Sequence, residues 1–122
     1  MDLTGKWKYV EDYVHGTAQG ELYLRQKKNK LSGRLVFTDY LKDETPYMIQ
    51  EFLKGRVEEH KVYLEAWEYD IIYSESPISY ELDSWLGILV EDTIIKGSSM
   101  DEQGVAGNFE FVKLEDQIAD HL

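Results

Sequence analysis

Apolar and polar residues alternate along most of the chain. Leu3, Trp7, Tyr9 and Tyr13 share one phase of a period-two pattern, and Leu31, Leu35 and Phe37 share the next clear one. Tyr47, Ile49, Leu53 and Val57 follow, then Val62, Leu64 and Ala66, and Val105, Phe109 and Phe111 close the series. Alternation over short runs predicts half-buried strands. Turn-forming residues separate the runs: His15-Gly16, Lys28-Asn29, Glu58-Glu59, Glu91-Asp92, and Asp101 to Gly104. The pattern predicts eight strands, over 4–14, 19–27, 31–40, 46–57, 60–70, 79–90, 93–99 and 105–113. Most neighbours are joined by only a few residues. Such short links require antiparallel hairpins, because a parallel crossover needs about a dozen residues. Eight hairpin-linked strands can close on themselves and so remove their exposed edges. The expected fold is all-β: an eight-stranded antiparallel up-and-down β-barrel in one domain over 1–122.

Glycine recurs within this pattern. Gly5, Gly33, Gly55, Gly87, Gly97 and Gly107 each lie two residues from an apolar neighbour, hence on the same face of a strand. A glycine weakens a strand interior by roughly 0.5–1 kcal/mol relative to alanine, so its repetition implies a geometric use. The reading is that these six glycines are inward-facing corners at which barrel strands bend. Pro46 and Pro77 fall at loop edges. The segment 71–79 is the longest irregular stretch and is expected to fold over one barrel end. Leu114, Ile118 and Leu122 recur every four residues, which predicts a short helical tail over 114–122.

Composition narrows the class. Of 122 residues, 43% are hydrophobic and 13% aromatic, enough for one core. There is no cysteine, which excludes a disulfide framework and thiolate zinc sites. The N-terminus shows no secretory signal pattern and no stretch approaches the roughly 20 apolar residues of a membrane helix, so a cytoplasmic location away from membranes is expected. The net charge is −11, distributed as +3 over residues 1–38 and −14 over 39–122. Such a field repels phosphate backbones, so nucleic acid is not an expected partner. It suits instead a solvated surface, or a face that docks a basic protein.

Gly5-Lys6-Trp7 on the first strand resembles the glycine-x-tryptophan motif of lipocalins. The resemblance implies that Trp7 closes one barrel end and that a basic residue near the end of the last strand packs over it, the place that Lys113 occupies. "LTGKW" with "LSGRL" is also similar to the glycine-bearing first hairpin of avidin-like proteins. Both families are calycins, and the resemblance implies their up-and-down barrel. The stretch VHGTAQGEL does not match the polar residues with which avidins hold biotin, so neither biotin nor a particular lipid is implied.

Candidate chemistry is sparse. His15, His60 and His121 have no metal-ligand spacing, and no phosphate-binding loop or nucleophile motif appears. No metal and no cofactor is expected. Glu51 lies in the inward phase of the fourth strand and Glu68 in the phase of Leu64 and Ala66 on the fifth. A hairpin turning at 58–59 would place them together, where each raises the other's pKa. The opposite phase of the fifth strand, which would bury Tyr63, Trp67 and Tyr69, remains open. The sixth strand is also open, with Trp85 and Leu89 on one face and Leu86, Ile88 and Val90 on the other. Two apolar faces there would leave a patch available to a second copy.

Three functions compete. The first is a barrel that binds a small, largely apolar ligand, neutral or cationic, against Tyr9, Tyr13, Phe37, Asp39, Tyr47, Glu51, Glu68 and Trp85, with Trp7 sealing the far end. The second is an acidic interaction or inhibitor protein that docks a basic partner. The third, an enzyme built on a carboxylate pair, lacks a complete catalytic constellation. An eight-stranded barrel can be filled by its own side chains or can hold one small ligand.

Overall fold

The computed structural model describes residues 2–116. Eight strands follow one another: β1 (Gly5–Tyr13), β2 (Gly16–Lys27), β3 (Lys30–Leu41), β4 (Tyr47–Glu58), β5 (Lys61–Tyr73), β6 (Asp83–Val90), β7 (Ile94–Asp101) and β8 (Ala106–Glu115). Each pairs antiparallel with the next, and β8 pairs with β1, so the sheet closes into a barrel. The expected all-β barrel and its strand order are both present.

The two ends differ. The β2–β3, β4–β5 and β6–β7 turns lie at one end, with Trp7. Tight turning there puts Lys28, Glu59, Glu91 and Asp92 at positive φ. Trp7 is fully buried and its Nε1 donates to the Leu3 carbonyl at 3.0 Å. Lys113 is its register partner on β8, and the Lys113 Nζ lies 5.6 Å from the centre of the Trp7 ring. The same Nζ donates to the Asp2 carbonyl at 3.0 Å and pairs with Asp116 at 3.1 Å. This end is therefore capped by an indole under an ammonium group.

The glycines act through close approach. A Cβ on Gly33, Gly55 or Gly97 would stand 2.1, 1.8 or 2.1 Å from a carbonyl oxygen of the adjacent strand. Gly20 on β2, which the alternation did not single out, is equally crowded at 1.9 Å. At Gly87 the obstruction is the core itself, with Ile95 Cγ2 at 2.8 Å and Phe109 Cζ at 2.9 Å. Gly5 has φ of 152°, which side chains rarely adopt, and Gly107 backs onto Glu11 and the Asp12 carbonyl, both at 2.9 Å.

Three sequence expectations are corrected. No helix occurs among the described residues, and the tail does not begin at 114. Leu114 and Glu115 continue β8, which pairs with β1 as far as Lys6↔Glu115. Ile118 and Leu122 lie outside the described residues. The sixth strand begins at Asp83 rather than at 79, and the fifth runs on to Tyr73. Most consequential is a bulge in β5. Leu53 pairs with Ala66 but Phe52 pairs with Glu68, so Trp67 is an extra residue. One extra residue inverts the side chains that follow it, as far as a second shift at Ile72, where Ile49 pairs with Ile71 and Met48 with Tyr73. Glu68 therefore points out to solvent, and Tyr69, not Glu68, faces Glu51 in the register. In β6 the inward phase is Trp85, Gly87 and Leu89, while Leu86 and Ile88 are 56% and 57% exposed.

Candidate functional site

The end opposite Trp7 is open. β1 carries Tyr9, Glu11 and Tyr13 in one inward phase, and β3 carries Phe37 and Asp39. β4 adds Tyr47 and Glu51, and β6 adds Asp83 and Trp85. The wall between β5 and β6 is incomplete at this end. Their pairing stops at Glu65↔Ser84, while β5 continues to Tyr73 paired with β4. The connecting segment, residues 74–82, packs Ile78 and Tyr80 against the core instead. The Tyr80 ring lies 6.0 Å from Phe37, 6.3 Å from Tyr47 and 5.8 Å from Tyr69, centroid to centroid. The stretch expected over a barrel end is 71–79; its first three residues belong to β5, and it is residues 74–82 that cover this end, with Tyr80 as the plug.

Three carboxylate-centred groups occupy this half. Asp39, 5% exposed, accepts from the Tyr13 hydroxyl through one oxygen and from the Tyr47 hydroxyl through the other at 2.8 Å. Deeper, Glu11 accepts from Tyr9 at 2.7 Å, Ser99 at 2.8 Å and the Trp85 indole at 3.2 Å. On the far wall the Tyr80 hydroxyl donates to Asp83 at 2.6 Å, and the Asp83 amide donates to Glu51 Oε2 at 3.3 Å. Glu51 is 0% exposed, and its Oε1 has no hydrogen-bond partner.

Burial dominates the electrostatics, because a low-dielectric interior disfavours the charged form. It pushes Asp39 up to about 6 against the Tyr47 hydrogen bond, which opposes it. It raises Glu11 despite three donors, and it raises Glu51 well above the usual carboxylate range, aided by the neighbouring Asp83 carboxyl. Asp83 is pushed up to about 7. The phenols of Tyr9, Tyr47 and Tyr80 are raised by burial and by these acids. Burial thus favours the protonated form of these acids and the neutral form of the phenols.

Between these groups is a cavity of about 230 Å³, open at the barrel mouth. Tyr9, Tyr13, Phe37, Asp39 and Tyr47, all expected from sequence, line it. Glu51 and Trp85 do not reach it, but they bond to Asp83 and Glu11, which do. Glu68 lies outside. Sequence reasoning missed Glu11, Asp83 and Tyr80. Glu11 shares the phase of Tyr9 and Tyr13, and Asp83 that of Trp85, so both were readable as inward acids; Tyr80 carried no periodic signal. The expected Glu51–Glu68 pair does not form: Glu68 is exposed, and Glu51 neighbours Asp83 instead. Among the described residues no three His, Asp or Glu side chains converge as metal ligands would.

No protein-family model and no curated protein matches the sequence. Solved structures with the same fold do exist. A redesigned β-barrel, mFAP1, solved bound to DFHBI, superposes with a TM-score of 0.64 at 13% identity, covering 91% of this chain and 94% of that one. A sister barrel, mFAP0, also solved bound to DFHBI, gives 0.62 at 13% identity over 91% and 98%. A de novo designed fluorescence-activating barrel gives 0.55 at 12% identity over 92% and 94%. At such identities the likeness is one of fold: an eight-stranded antiparallel closed barrel.

Proposed function

We propose that this chain is a binding barrel of calycin type that takes one small ligand through its open mouth. One observation carries the reading: a cavity of about 230 Å³ lies at one end of a barrel whose other end is sealed by Trp7 and Lys113. Apolar and aromatic walls with a few convergent polar groups are the usual make-up of such sites. Here the walls are Phe37, Tyr9 and Tyr80, and the polar groups are Asp39, Glu11 and Asp83. The volume is below the roughly 300–1,000 Å³ of sites for drug-sized molecules, so the ligand is of single-ring size. That designed barrels of the same fold have been solved with DFHBI bound supports the reading.

Trp85 provides the assay, because its indole is hydrogen-bonded to Glu11 at the cavity floor. A library of single-ring compounds, read by tryptophan fluorescence, should yield binders. Tyr47→Ala and Asp39→Asn should each weaken them about tenfold or more. Binders that are indifferent to both changes would place the site elsewhere on the protein. A library without binders, together with tight capture by a basic protein, would favour the docking function instead.

A further inference from the structure

We propose that the ligand class of this cavity is a small organic cation, an ammonium group on an apolar body of single-ring size, held by Asp39 and Asp83 within the tyrosine walls. The inference rests on the binding reading above and narrows it.

The argument starts from what the carboxyl groups lack. Asp39, Glu11, Asp83 and Glu51 are all inside the barrel, and among the described residues none of them forms an ion pair. The ion pairs among the described residues lie on the surface or over the sealed end. No lysine or arginine lines the cavity, and His15 at the rim is its one basic side chain. Buried carboxylates are ordinarily paired with a cation, because taking an unpaired charge out of water is costly. Protons meet part of that need, but not all of it. Asp39 has its two oxygens occupied by two phenol donors, so at neutral pH it stands as an anion facing the cavity.

A second observation points the same way. Glu51 is wholly buried, directed at Asp83, and keeps one oxygen without a partner. Glu51 stands behind Asp83, and Asp83, which does line the cavity, accepts from one side-chain hydroxyl, that of Tyr80, so it has room for further donors. An ammonium group brings up to three of them and no acceptor. Among the described residues no three acids converge as metal ligands, so the geometry does not favour a bare divalent ion. The walls supply the rest. Tyr9, Tyr13, Tyr47 and Tyr80 present ring faces and edges around the space, and an organic cation over a phenol ring gains roughly 0.5–2 kcal/mol. An anion would meet carboxylates on two walls.

The test compares benzylamine with benzyl alcohol, which match in shape and differ in charge. Binding is measured by titration calorimetry and by Trp85 fluorescence at pH 7.5 and constant ionic strength. Benzylamine should bind at least tenfold more tightly than benzyl alcohol. Asp39→Asn should abolish that preference, and Asp39→Glu should restore part of it. A general attraction of cations to a protein of net charge −11 is separated by Glu68→Gln, which removes an outward carboxylate and should leave the preference intact. Equal binding of both probes would overturn the cation inference and leave the binding barrel standing. If neither probe binds up to millimolar concentration, the cation inference falls. If the neutral fragment library also fails, the binding reading falls with it. A preference unchanged in Asp39→Asn would also overturn the inference, since Asp39 would then take no part in holding the cation.

Discussion

Replacing Glu51 by glutamine tests the interior electrostatics at its deepest point. The amide keeps the shape of the side chain and can still accept from the Asp83 amide, but it cannot ionise. In the parent, the folded state holds protons that the unfolded chain releases near pH 4, because Asp83 is pushed up from 3.8 to about 7 and Glu51 is raised as well. A folded-state pKa above the unfolded one contributes stability that is complete below the unfolded pKa and is lost as pH rises through the folded value. The parent should therefore lose stability between about pH 4 and 7. At 1.36 kcal/mol per unit, the shift of Asp83 alone sets an upper bound of about 4 kcal/mol, and relaxation and water at the mouth reduce this to about 2–3 kcal/mol. In the glutamine variant Asp83 loses its acidic neighbour and gains an amide donor. At pH 8 the variant should be more stable than the parent by about 1–2 kcal/mol, while at pH 5.5 the two should be close or the variant slightly weaker. Urea unfolding followed by tryptophan fluorescence at pH 5.5, 6.5, 7.5 and 8.5 reads this directly. The net charge of −11 also weakens the parent as pH rises, but it does so almost equally in the variant, so the difference between the two curves isolates the pair. Parallel curves would mean that Glu51 and Asp83 do not share a buried proton, and would refute the reasoning.

Four further outcomes can be checked by the same unfolding assay. Trp7→Ala should cost about 3–5 kcal/mol, since a fully buried indole with a hydrogen bond to Leu3 is lost; a cost under ~1 kcal/mol would show that the seal is unimportant. Gly87→Val should cost about 1–3 kcal/mol, because a Cβ there already meets Ile95 and Phe109; unchanged melting would show that the core yields freely at this corner. Glu91→Gly should stabilise by up to about 1 kcal/mol, since Glu91 sits at φ of 56° in the β6–β7 turn. Tyr80→Phe should lose only the Asp83 hydrogen bond, about 1 kcal/mol, whereas Tyr80→Ala should cost about 3 kcal/mol and speed amide exchange in β5 beyond Glu65; equal effects would deny that the ring closes the wall.

Alternation and glycine spacing made the barrel legible because both are local consequences of closure. A strand with one wet face must alternate, and a strand that crosses its neighbour within van der Waals distance must give up a side chain there. The Trp7–Lys113 contact was suggested by the lipocalin resemblance of Gly5-Lys6-Trp7, with phase adding only that Lys113 follows Phe109 and Phe111. What failed depended on counting across a bulge. The hairpin sum that put Glu68 beside Glu51 holds from the turn to Ala66↔Leu53, and then Trp67 adds one residue and inverts the face. Nothing in the stretch around Trp67 marks such an insertion, since alternation reads equally well in either phase. The helical spacing of Leu114, Ile118 and Leu122 misled because its first member belongs to a strand whose pairing partner, Lys6, is more than a hundred residues away.

The barrel divides its work between its two halves. Near Trp7 neighbouring strands stay paired, with one bulge in the β1–β8 ladder between Lys6 and Trp7, and the interior is Leu, Ile, Val, Phe and Trp, so burial and hydrogen bonding act together. Toward the mouth the β5–β6 ladder ends after Glu65↔Ser84, a tyrosine from an irregular segment stands in for the missing wall, and four carboxyl groups take positions that leucine could fill. Each of those carboxyls lowers the stability of the empty barrel at neutral pH, while a well-packed apolar replacement is often neutral or stabilising. The penalty falls in the half of the barrel that is open to solvent, around the cavity at the mouth, and spares the half that holds the fold together. A stable half thus carries a strained one, and a cation entering the strained half would relieve the repulsion that its carboxyls impose on one another.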